Sequence, residues 1–246
     1  MTDQLTQTPQ FFLTAPGKCP YLRGRTERKV FTYLNGESAI ERNNMLTFNG
    51  FRRSQNIAYR PICDGCNACV SVRIPVDDFK MSQSMKRIIN MNGDLLCEVV
   101  APKTTDEQFA LFRTYLDGRH MDGGMANMSR EDFRVMVEES PINTCLYEYR
   151  LKKNDNNEAC LIAVALTDVL ADGFSMVYSF YDPQQTKRSL GTMMILDHII
   201  RAKKTMLPYI YLGYWVKGSN KMDYKQKFKP LEYLFRDKWA EIPQED

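Results

Sequence analysis

The 246-residue sequence predicts an α/β protein with a mixed β-sheet, preceded by a smaller, irregular N-terminal domain that contains cysteines. Two observations lead to this prediction. After residue 92, apolar residues recur at strand and helix spacings in the order β-α-α-β-β-β-α-β-α-β. Before it, the segments are short and turn residues are frequent, as at Pro16-Gly17, Asn35-Gly36 and Asn49-Gly50. We therefore predict domains over residues 1–92 and 93–246.

Each element is predicted from its local pattern. Residues 70–74 alternate as a strand that ends at Pro75, and residues 82–92 have the pattern of a basic helix. Thr105 and Ser129 are residue types that cap helices. The apolar residues that follow them at helical spacing are Phe109, Phe112 and Leu116 after the first, and Phe133, Met136 and Val137 after the second. The remaining predictions are strands at 95–100, 144–152, 158–169, 174–181, 210–212 and 231–235, and helices at 190–204 and 220–228.

The charge distribution is uneven along the chain. Residues 1–75 carry 10 Lys/Arg against 5 Asp/Glu, residues 76–176 carry 11 against 17, and residues 177–246 carry 12 against 8. Two basic ends around an acidic middle suit a surface that meets a polyanion. The same numbers also fit an ordinary solvated mixture of charges.

The sequence predicts a cytoplasmic protein. Residues 1–7 have neither the basic nor the apolar region of a secretory signal, and no apolar stretch reaches the ~18–20 residues of a membrane span. Seven cysteines, an odd number, fit reduced thiols better than a disulfide framework. We expect no association with a membrane.

Several long motifs carry a resemblance to a known family. These motifs are Phe11–Pro16, Cys19–Leu22, Gly24–Phe31, Gly50–Ser54, Arg119–Met125, Ser175–Pro183, Arg188–Thr192 and Tyr211–Lys225. They resemble the bacterial aspartate/glutamate leucyltransferases, which are related to the eukaryotic arginyl-tRNA–protein transferases, and the match extends from about residue 11 to residue 239.

The resemblance implies a tRNA-dependent transfer reaction. Leucine would move from leucyl-tRNA to the free α-amine of proteins that begin with Asp or Glu, and the product would carry an N-terminal degradation signal of the N-end rule pathway. The order of the elements also resembles the acyltransferase fold of the GNAT superfamily. The expected partners are therefore leucyl-tRNA and proteins with an acidic first residue.

The chemistry of the expected reaction makes modest demands on the protein. The aminoacyl ester is already activated, so positioning the amine against the carbonyl supplies much of the rate, and no cofactor is required. An α-amine with a pKa of ~8 needs only a modest base. The candidate catalytic residues are Asp182, Tyr178 and His120, whereas we expect His198 to be a hydrogen-bonded core residue.

Acidic substrates and tRNA phosphates both call for cationic partners. Arg52 and Arg53 are candidates for the substrate carboxylate because the guanidinium fork suits bidentate contacts, and Ser54 adjoins them. Lys221 and Lys225, four residues apart, are expected to share one helix face and to bind either carboxylate or phosphate. The other candidates for substrate or tRNA binding are Arg188, Gly191, Tyr214, Trp215 and Tyr224.

Four cysteines form a candidate metal site. Cys63, Cys66 and Cys69 have the spacing C-x-x-C-x-x-C, and Cys19 upstream completes the four thiols of a structural zinc site or an iron–sulfur cluster. Eukaryotic relatives have been associated with a cluster on N-terminal cysteines. Leu22 departs from that pattern, and a compact turn with reduced thiols is the alternative.

Three other functions stay open on the sequence. The donor could be arginyl-tRNA. An acyl-CoA-dependent N-acyltransferase is a second alternative, although Met193 ends the sequence Arg188-Ser189-Leu190-Gly191-Thr192-Met193, where a pyrophosphate-binding loop needs a small residue. A non-catalytic, zinc-dependent RNA-binding module would explain the cysteines and the basic ends, but not the long motif at Tyr211–Lys225.

Overall fold

The computed structural model describes residues 9–119, 125–152 and 159–241. Its strands are β1 (Phe12–Leu13), β2 (Gly17–Lys18), β3 (Thr26–Glu27), β4 (Lys29–Tyr33), β5 (Arg52–Ser54), β6 (Ile57–Pro61), β7 (Cys69–Pro75), β8 (Leu95–Val100), β9 (Thr144–Lys152), β10 (Ala159–Val169), β11 (Gly173–Tyr181), β12 (Tyr209–Val216), β13 (Glu232–Phe235) and β14 (Lys238–Glu241). Its α-helices are α1 (Ala39–Phe48), α2 (Gln83–Met91), α3 (Asp106–Arg119), α4 (Arg130–Glu138) and α5 (Leu190–Lys204).

The strands form a large mixed sheet and a smaller one. The large sheet has the order β14-β13-β7-β12-β11-β10-β9-β8, and the four-stranded sheet has the order β1-β4-β6-β5. A short hairpin of β2 and β3 stands beside them. The mixed α/β class is confirmed. A separate cysteine-containing domain is not confirmed, because β7 lies inside the large sheet between β12 and β13, and the boundary at residue 92 stays a prediction.

Side-chain caps begin three of the described helices, two of them at the predicted residues Thr105 and Ser129. The Ser82 hydroxyl accepts the N–H of Met85, and Ser129 forms a capping box with Asp132 at the start of α4. Thr105 caps α3 in the same reciprocal way, since its hydroxyl accepts the N–H of Gln108 and its own N–H donates to the Gln108 side chain. The predicted helix at 190–204 is confirmed as α5.

The core lies on both faces of the large sheet. On one face, α3 and α4 pack Phe112 and Phe133 against β10 and β11. On the other, α2 and α5 pack a second cluster around Met194, which is fully buried. Truncating either phenylalanine would cost about 3–5 kcal/mol because each is almost completely buried. The sheet is therefore a rigid frame for the loops at its edges.

Three local predictions need correction. The strand at 210–212 is longer and spans Tyr209–Val216, and β13 is followed by a further strand, β14. The predicted helix at 220–228 is a short 3₁₀ turn at Asp223–Lys227. Cys160, which its place in a predicted strand favours as a core residue, is exposed on β10. The predicted turn at 155–157 lies outside the described residues.

Candidate active site at the split between two parallel strands

The parallel pair β11–β12 separates after three registered pairs. Gly173, Phe174 and Ser175 pair with Tyr209, Ile210 and Tyr211, and no registered pairs follow, although both strands continue. At Gly173 the backbones are so close that a Cβ would overlap the Tyr209 carbonyl oxygen. Beyond this closed end, carbonyl groups that a regular sheet would pair need other donors.

Two cationic side chains supply those donors. The Arg52 guanidinium donates from Nη2 to the carbonyl oxygens of Val177 at 2.5 Å and Met176 at 3.4 Å. On the other strand, Lys225 Nζ donates to the carbonyl oxygens of Leu212 at 2.8 Å and Tyr214 at 2.5 Å. Arg52 and Lys225 therefore line opposite sides of the split.

Gly213 creates the space that Arg52 occupies. Its φ of +71° favours glycine, and a Cβ at this position would overlap the Arg52 guanidinium. The pairing of β12 with β7 also shifts register between Tyr211 and Gly213. A glycine inside a strand is a sequence signal for such a close approach. The geometry of β12 is thus adapted to the arginine that comes from β5.

Tyr214 connects the small sheet to the large one beside the split. Its buried hydroxyl lies 2.9 Å from the Gly50 carbonyl oxygen and 3.0 Å from that of Tyr59. Burial raises the pKa of this hydroxyl well above its usual value, so it stays protonated as a donor. Tyr214, a predicted binding residue, positions β5 and β6 and through them Arg52.

The split is electropositive. Lys225 is 2% exposed, and its burial and the nearby Arg52 lower its pKa well below the usual lysine value. Within the described ranges, no ion pair includes Arg52 or Lys225. Arg52 therefore carries the positive charge of the split, and an anion bound beside Lys225 would favour the protonated form of this lysine.

Four tyrosines surround the β11 side of the split. The Tyr115 and Tyr181 rings lie 5.0 Å apart. Tyr178 and Tyr224 lie close enough to Tyr115 to raise the pKa of its hydroxyl. Burial raises the pKa of Tyr178 to about 12. Tyr224 is 41% exposed, yet burial of its hydroxyl raises its pKa, and Arg52 opposes this effect. The cluster therefore offers protonated hydroxyl groups next to a cation.

Arg119 and Gly191 complete this part of the site. The Arg119 guanidinium lies 5.3 Å from the centre of the Tyr181 ring, and the position of a Cβ at Gly191 is 3.5 Å from that ring. Arg119 ends α3 and leads into residues 120–124. His120, a predicted catalytic residue, lies outside the described residues.

Arg53 faces away from the split. Neighbours in a strand point to opposite faces, so Arg52 and Arg53 diverge. Arg53 makes a bidentate ion pair with Asp168, at 2.7 Å from Nε and 2.6 Å from Nη2, and both side chains are 1% exposed. Its guanidinium also donates to the Gln55 carbonyl oxygen at 2.9 Å. The structure thus places the two candidate arginines in different environments.

Asp182 and Arg188 have structural partners. The Asp182 carboxylate accepts the N–H of Gln184 at 2.9 Å and the side-chain amide of Gln185 at 3.2 Å, as the cap of a turn. Arg188 makes two 2.8 Å hydrogen bonds to the Asp94 carboxylate. In this arrangement both Nη atoms of Arg188 point to Asp94 and not to a phosphate-binding site.

The other predicted binding residues lie apart from the split. Ser54 is exposed at the β5–β6 hairpin. The Trp215 ring packs edge-on against Tyr233 at 5.6 Å. Lys221 is exposed in a turn before the 3₁₀ helix, whereas Lys225 is buried. The expectation that Lys221 and Lys225 share one helix face is therefore wrong, since no α-helix forms there.

The four N-terminal cysteines are neighbours in space. Burial raises the pKa of Cys69 to about 11, with further contributions from Cys63, Cys19 and Cys66. The Cys19 sulfur accepts the N–H of Leu22 at 3.4 Å. Four thiols suit zinc or iron chemically, but among the described residues no group of three or more His, Cys, Asp or Glu side chains is arranged to hold a metal ion. No step of the reaction is derived from a metal here.

Sequence reasoning missed three parts of the site. Tyr115 was not among the candidates, and Arg119 and Gly213 appeared only within the motifs Arg119–Met125 and Tyr211–Lys225. The interruption of a strand by Gly213 is a signal that could have identified the close approach of Arg52. His198 is confirmed as a core residue, with its ring nitrogens 2.9 Å from Thr167 Oγ1 and 2.7 Å from the Met194 carbonyl oxygen.

Comparisons with known proteins agree along the whole chain. Residues 17–87 match the family described as "Arginine-tRNA-protein transferase, N terminus", and residues 107–235 match its C terminus. The chain is 55% identical over 247 residues to the aspartate/glutamate leucyltransferase of Xanthobacter autotrophicus, covering 98% of this chain and 99% of that protein. Identity to the Allorhizobium ampelinum protein of the same name is 55% over 243 residues, covering 98% and 96%.

Solved structures give a weaker likeness. The crystal structure of FemX shares 8% sequence identity and a TM-score of 0.48, over 77% of this chain and 63% of that one. A TM-score at this level supports no statement about this chain.

None of the helices within the described ranges combines the length and apolar character that a membrane crossing requires.

Proposed function

The chain belongs to the arginine-tRNA-protein transferase family, and we propose that it transfers leucine from leucyl-tRNA to the N-terminal amine of proteins that begin with Asp or Glu. The observation that carries this proposal is 55% identity, over 98% of the chain, to relatives named for that transfer. The product would carry an N-terminal leucine as a degradation signal, and we place the reaction in the cytoplasm.

The transfer requires no covalent enzyme intermediate. The substrate amine attacks the carbonyl carbon of the leucyl ester, a C–N bond forms, and the bond from that carbon to the ribose oxygen breaks. The proton lost by the amine ends on the ribose oxygen that leaves. Because both reactants are already reactive, holding them in contact supplies the main part of the rate. We propose no cofactor for this step.

The tyrosine cluster fits the role of proton donor and hydrogen-bond donor. Burial raises the pKa of Tyr178 to about 12, so its hydroxyl is protonated at neutral pH and cannot serve as a base. It can donate to the carbonyl oxygen as negative charge develops there, or to the departing ribose oxygen. The α-amine, with a pKa of ~8, is partly neutral without a strong base.

The electropositive split supports selection of acidic first residues. Arg52 Nη2 already donates hydrogen bonds to two carbonyl oxygens, and these fix the plane of the guanidinium. Its other nitrogens can then donate to a carboxylate without further loss of side-chain freedom. Lys225 adds a second positive charge next to it when protonated. Asn and Gln have the same shape as Asp and Glu but lack the charge, and should be rejected.

We also propose a GNAT-like fold for the catalytic part. Apolar spacing predicted the order β-α-α-β-β-β-α-β-α-β, which resembles that fold, and its first eight elements correspond to β8-α3-α4-β9-β10-β11-α5-β12. The acyl-CoA alternative is not supported by the loop before α5. Arg188 is paired with Asp94, and Met193, which is 4% exposed, stands where a pyrophosphate-binding loop needs a small residue.

The four N-terminal cysteines are a candidate structural metal site that takes no part in the transfer reaction. Cys19, Cys63, Cys66 and Cys69 would have to move from their present arrangement, which forms no metal-binding group, to hold zinc or an iron–sulfur cluster that stabilises the segment between β2 and β7. Metal content and thermal unfolding, measured before and after chelation, test this proposal. Bound metal whose removal lowers the unfolding temperature supports it. Metal-free protein that unfolds like the metal-treated sample contradicts it.

The experiment that tests the function uses purified protein with labelled donors. Leucyl-tRNA, arginyl-tRNA and acyl-CoA are offered separately, with peptides that begin with Asp, Glu, Asn, Gln or Ala. We expect label from leucyl-tRNA on the Asp and Glu peptides only. Label from arginyl-tRNA would reassign the donor, and label from acyl-CoA without tRNA would reject the proposal.

A further inference from the structure

One face of the four-stranded sheet carries a row of aromatic side chains that ends at Arg52. Residues directly paired across neighbouring antiparallel strands point to the same face. Phe12 on β1 pairs with Phe31 on β4, Phe31 pairs with Tyr59 on β6, and Tyr59 pairs with Arg52 on β5. We call Phe12, Phe31, Tyr33 and Tyr59 the aromatic row.

The outer part of the row is open to solvent. Phe12 is 41% exposed and Tyr33 is 46% exposed. The Phe12 and Phe31 rings lie 5.6 Å apart, and Tyr33 contacts both, at 5.8 and 5.9 Å. The opposite face of the same sheet is buried through Thr32, Arg53 and Ala58. At the β1 edge, Phe11 and Leu13, whose side chains alternate with Phe12, are also 49% and 53% exposed, so the exposed apolar residues form a cluster at this edge. Such a cluster suits a binding surface better than scattered surface residues do.

The inner part of the row reaches the active site. The Tyr59 ring lies 6.2 Å from that of Tyr214. Tyr21 lies close enough to both Tyr59 and Arg52 for them to influence the pKa of its hydroxyl. Arg52 then enters the split between β11 and β12. The row therefore forms a continuous path from the surface to the proposed site of transfer.

One cation, Lys29, lies beside the rings of this path. Lys29 Nζ lies 5.2 Å from the centre of the Tyr59 ring and also forms an ion pair with Glu27 at 2.9 Å. Arg60 follows Tyr59 on β6, points to the opposite face and lies 5.2 Å from the centre of the Phe51 ring. Residues 9–62 contain nine Lys/Arg and three Asp/Glu, so this part of the chain is basic. An acidic partner is favoured on charge.

We propose that the aromatic row binds the unpaired 3′ end of the aminoacyl-tRNA and directs its ester into the split. Exposed rings on a basic β-sheet are a common means of binding single-stranded RNA, because bases stack on the rings and phosphates meet the cations. The proposal rests on the proposed function for the identity of the RNA. A protein substrate could use the cations but has no need of a row of stacking rings.

The test separates binding from transfer. Affinity is measured for uncharged tRNA and for the same tRNA trimmed of its unpaired 3′ nucleotides, with wild-type protein and the variants Phe12→Ala, Tyr33→Ala and the double variant. Phe235→Ala is the matched control, because Phe235 is 62% exposed on β13, outside the row. The substituted side chains are exposed, so thermal unfolding should be close to wild type.

We expect wild-type protein to lose affinity when the tRNA is trimmed. Each variant in the row should bind intact tRNA at least about fivefold more weakly, as for loss of one stacked base, and trimmed tRNA as wild type does. In the transfer reaction the KM for leucyl-tRNA should rise with little change in kcat. The Phe235→Ala control should behave as wild type.

The proposal is overturned if the double variant binds intact tRNA as tightly as wild type, or if it weakens intact and trimmed tRNA equally. A rise in KM for the peptide instead of the tRNA would assign the row to the protein substrate and also overturn it. If the row variants transfer leucine with an unchanged KM for leucyl-tRNA, the proposed role of the aromatic row is rejected and the proposed function stands. If wild-type protein binds the 3′ end but transfers no leucine, the role of the row stands and the proposed function is rejected.

Discussion

Arg53 and Asp168, 115 residues apart in the sequence, form a buried bidentate ion pair that joins the small sheet to the large one. Thr144 donates a further hydrogen bond to Asp168 at 3.0 Å. The pair fixes β5 against β10, and the residue before Arg53 on β5, Arg52, enters the split. A structural arginine and a site arginine are thus neighbours on one short strand.

Arg53→Ala should destabilise the protein by about 3–5 kcal/mol, because it leaves the Asp168 carboxylate buried without its partner. Urea unfolding followed by circular dichroism measures this loss. The double variant Arg53→Met/Asp168→Leu, which removes both charges, should recover a large part of it. Wild-type stability with abolished transfer in Arg53→Ala would instead place Arg53 in the substrate site.

Gly213→Ala should impair transfer by displacing Arg52. A Cβ there would overlap the guanidinium, and a φ of +71° adds a backbone cost of about 1–2 kcal/mol. Gly36→Ala is the matched control, because Gly36 has a similar φ of +73° and open space around its Cβ position. We expect similar backbone strain in both, and a loss of kcat/KM of at least tenfold in Gly213→Ala alone. Equal activity of the two variants would show that the packing at Gly213 does not matter.

Stability should fall as the pH is lowered from 6.5 to 4 because of His198. Complete burial lowers its pKa to about 4, so the unfolded chain binds a proton in this window and the folded protein does not. The contribution is about 3 kcal/mol by linkage. Comparing the pH dependence of urea unfolding for wild type and His198→Gln isolates it from other groups. Parallel curves for the two proteins would contradict a neutral, buried imidazole.

The sequence predicts the regular half of this protein better than its N-terminal part. α5 and the caps at Thr105 and Ser129 follow from apolar spacing and cap chemistry, both of which are local. α1 was missed because its buried residues include the polar Asn43 and Thr47, so its apolar period is weak. The place of β7 inside the large sheet depends on long-range pairing that no local pattern contains.

The candidate site was predicted in composition but not in arrangement. Arg52, Tyr178, Tyr224 and Lys225 do come together at the split. The separate roles of Arg52 and Arg53 could not be predicted, since the choice depends on where Asp168 lies across the fold. A 3₁₀ turn replaces the expected helix because Lys225 is held by two carbonyl oxygens of β12.

The most direct test of the account compares Asp and Asn peptides as acceptors of leucine, with wild type and Arg52→Met. The two peptides differ in charge but hardly in shape, so the ratio of their kcat/KM values measures recognition of the carboxylate. We predict a large preference for Asp in wild type, nearly lost in an Arg52→Met protein that unfolds like wild type. An unchanged Asp preference in folded Arg52→Met would contradict the claim that the cationic split selects the substrate.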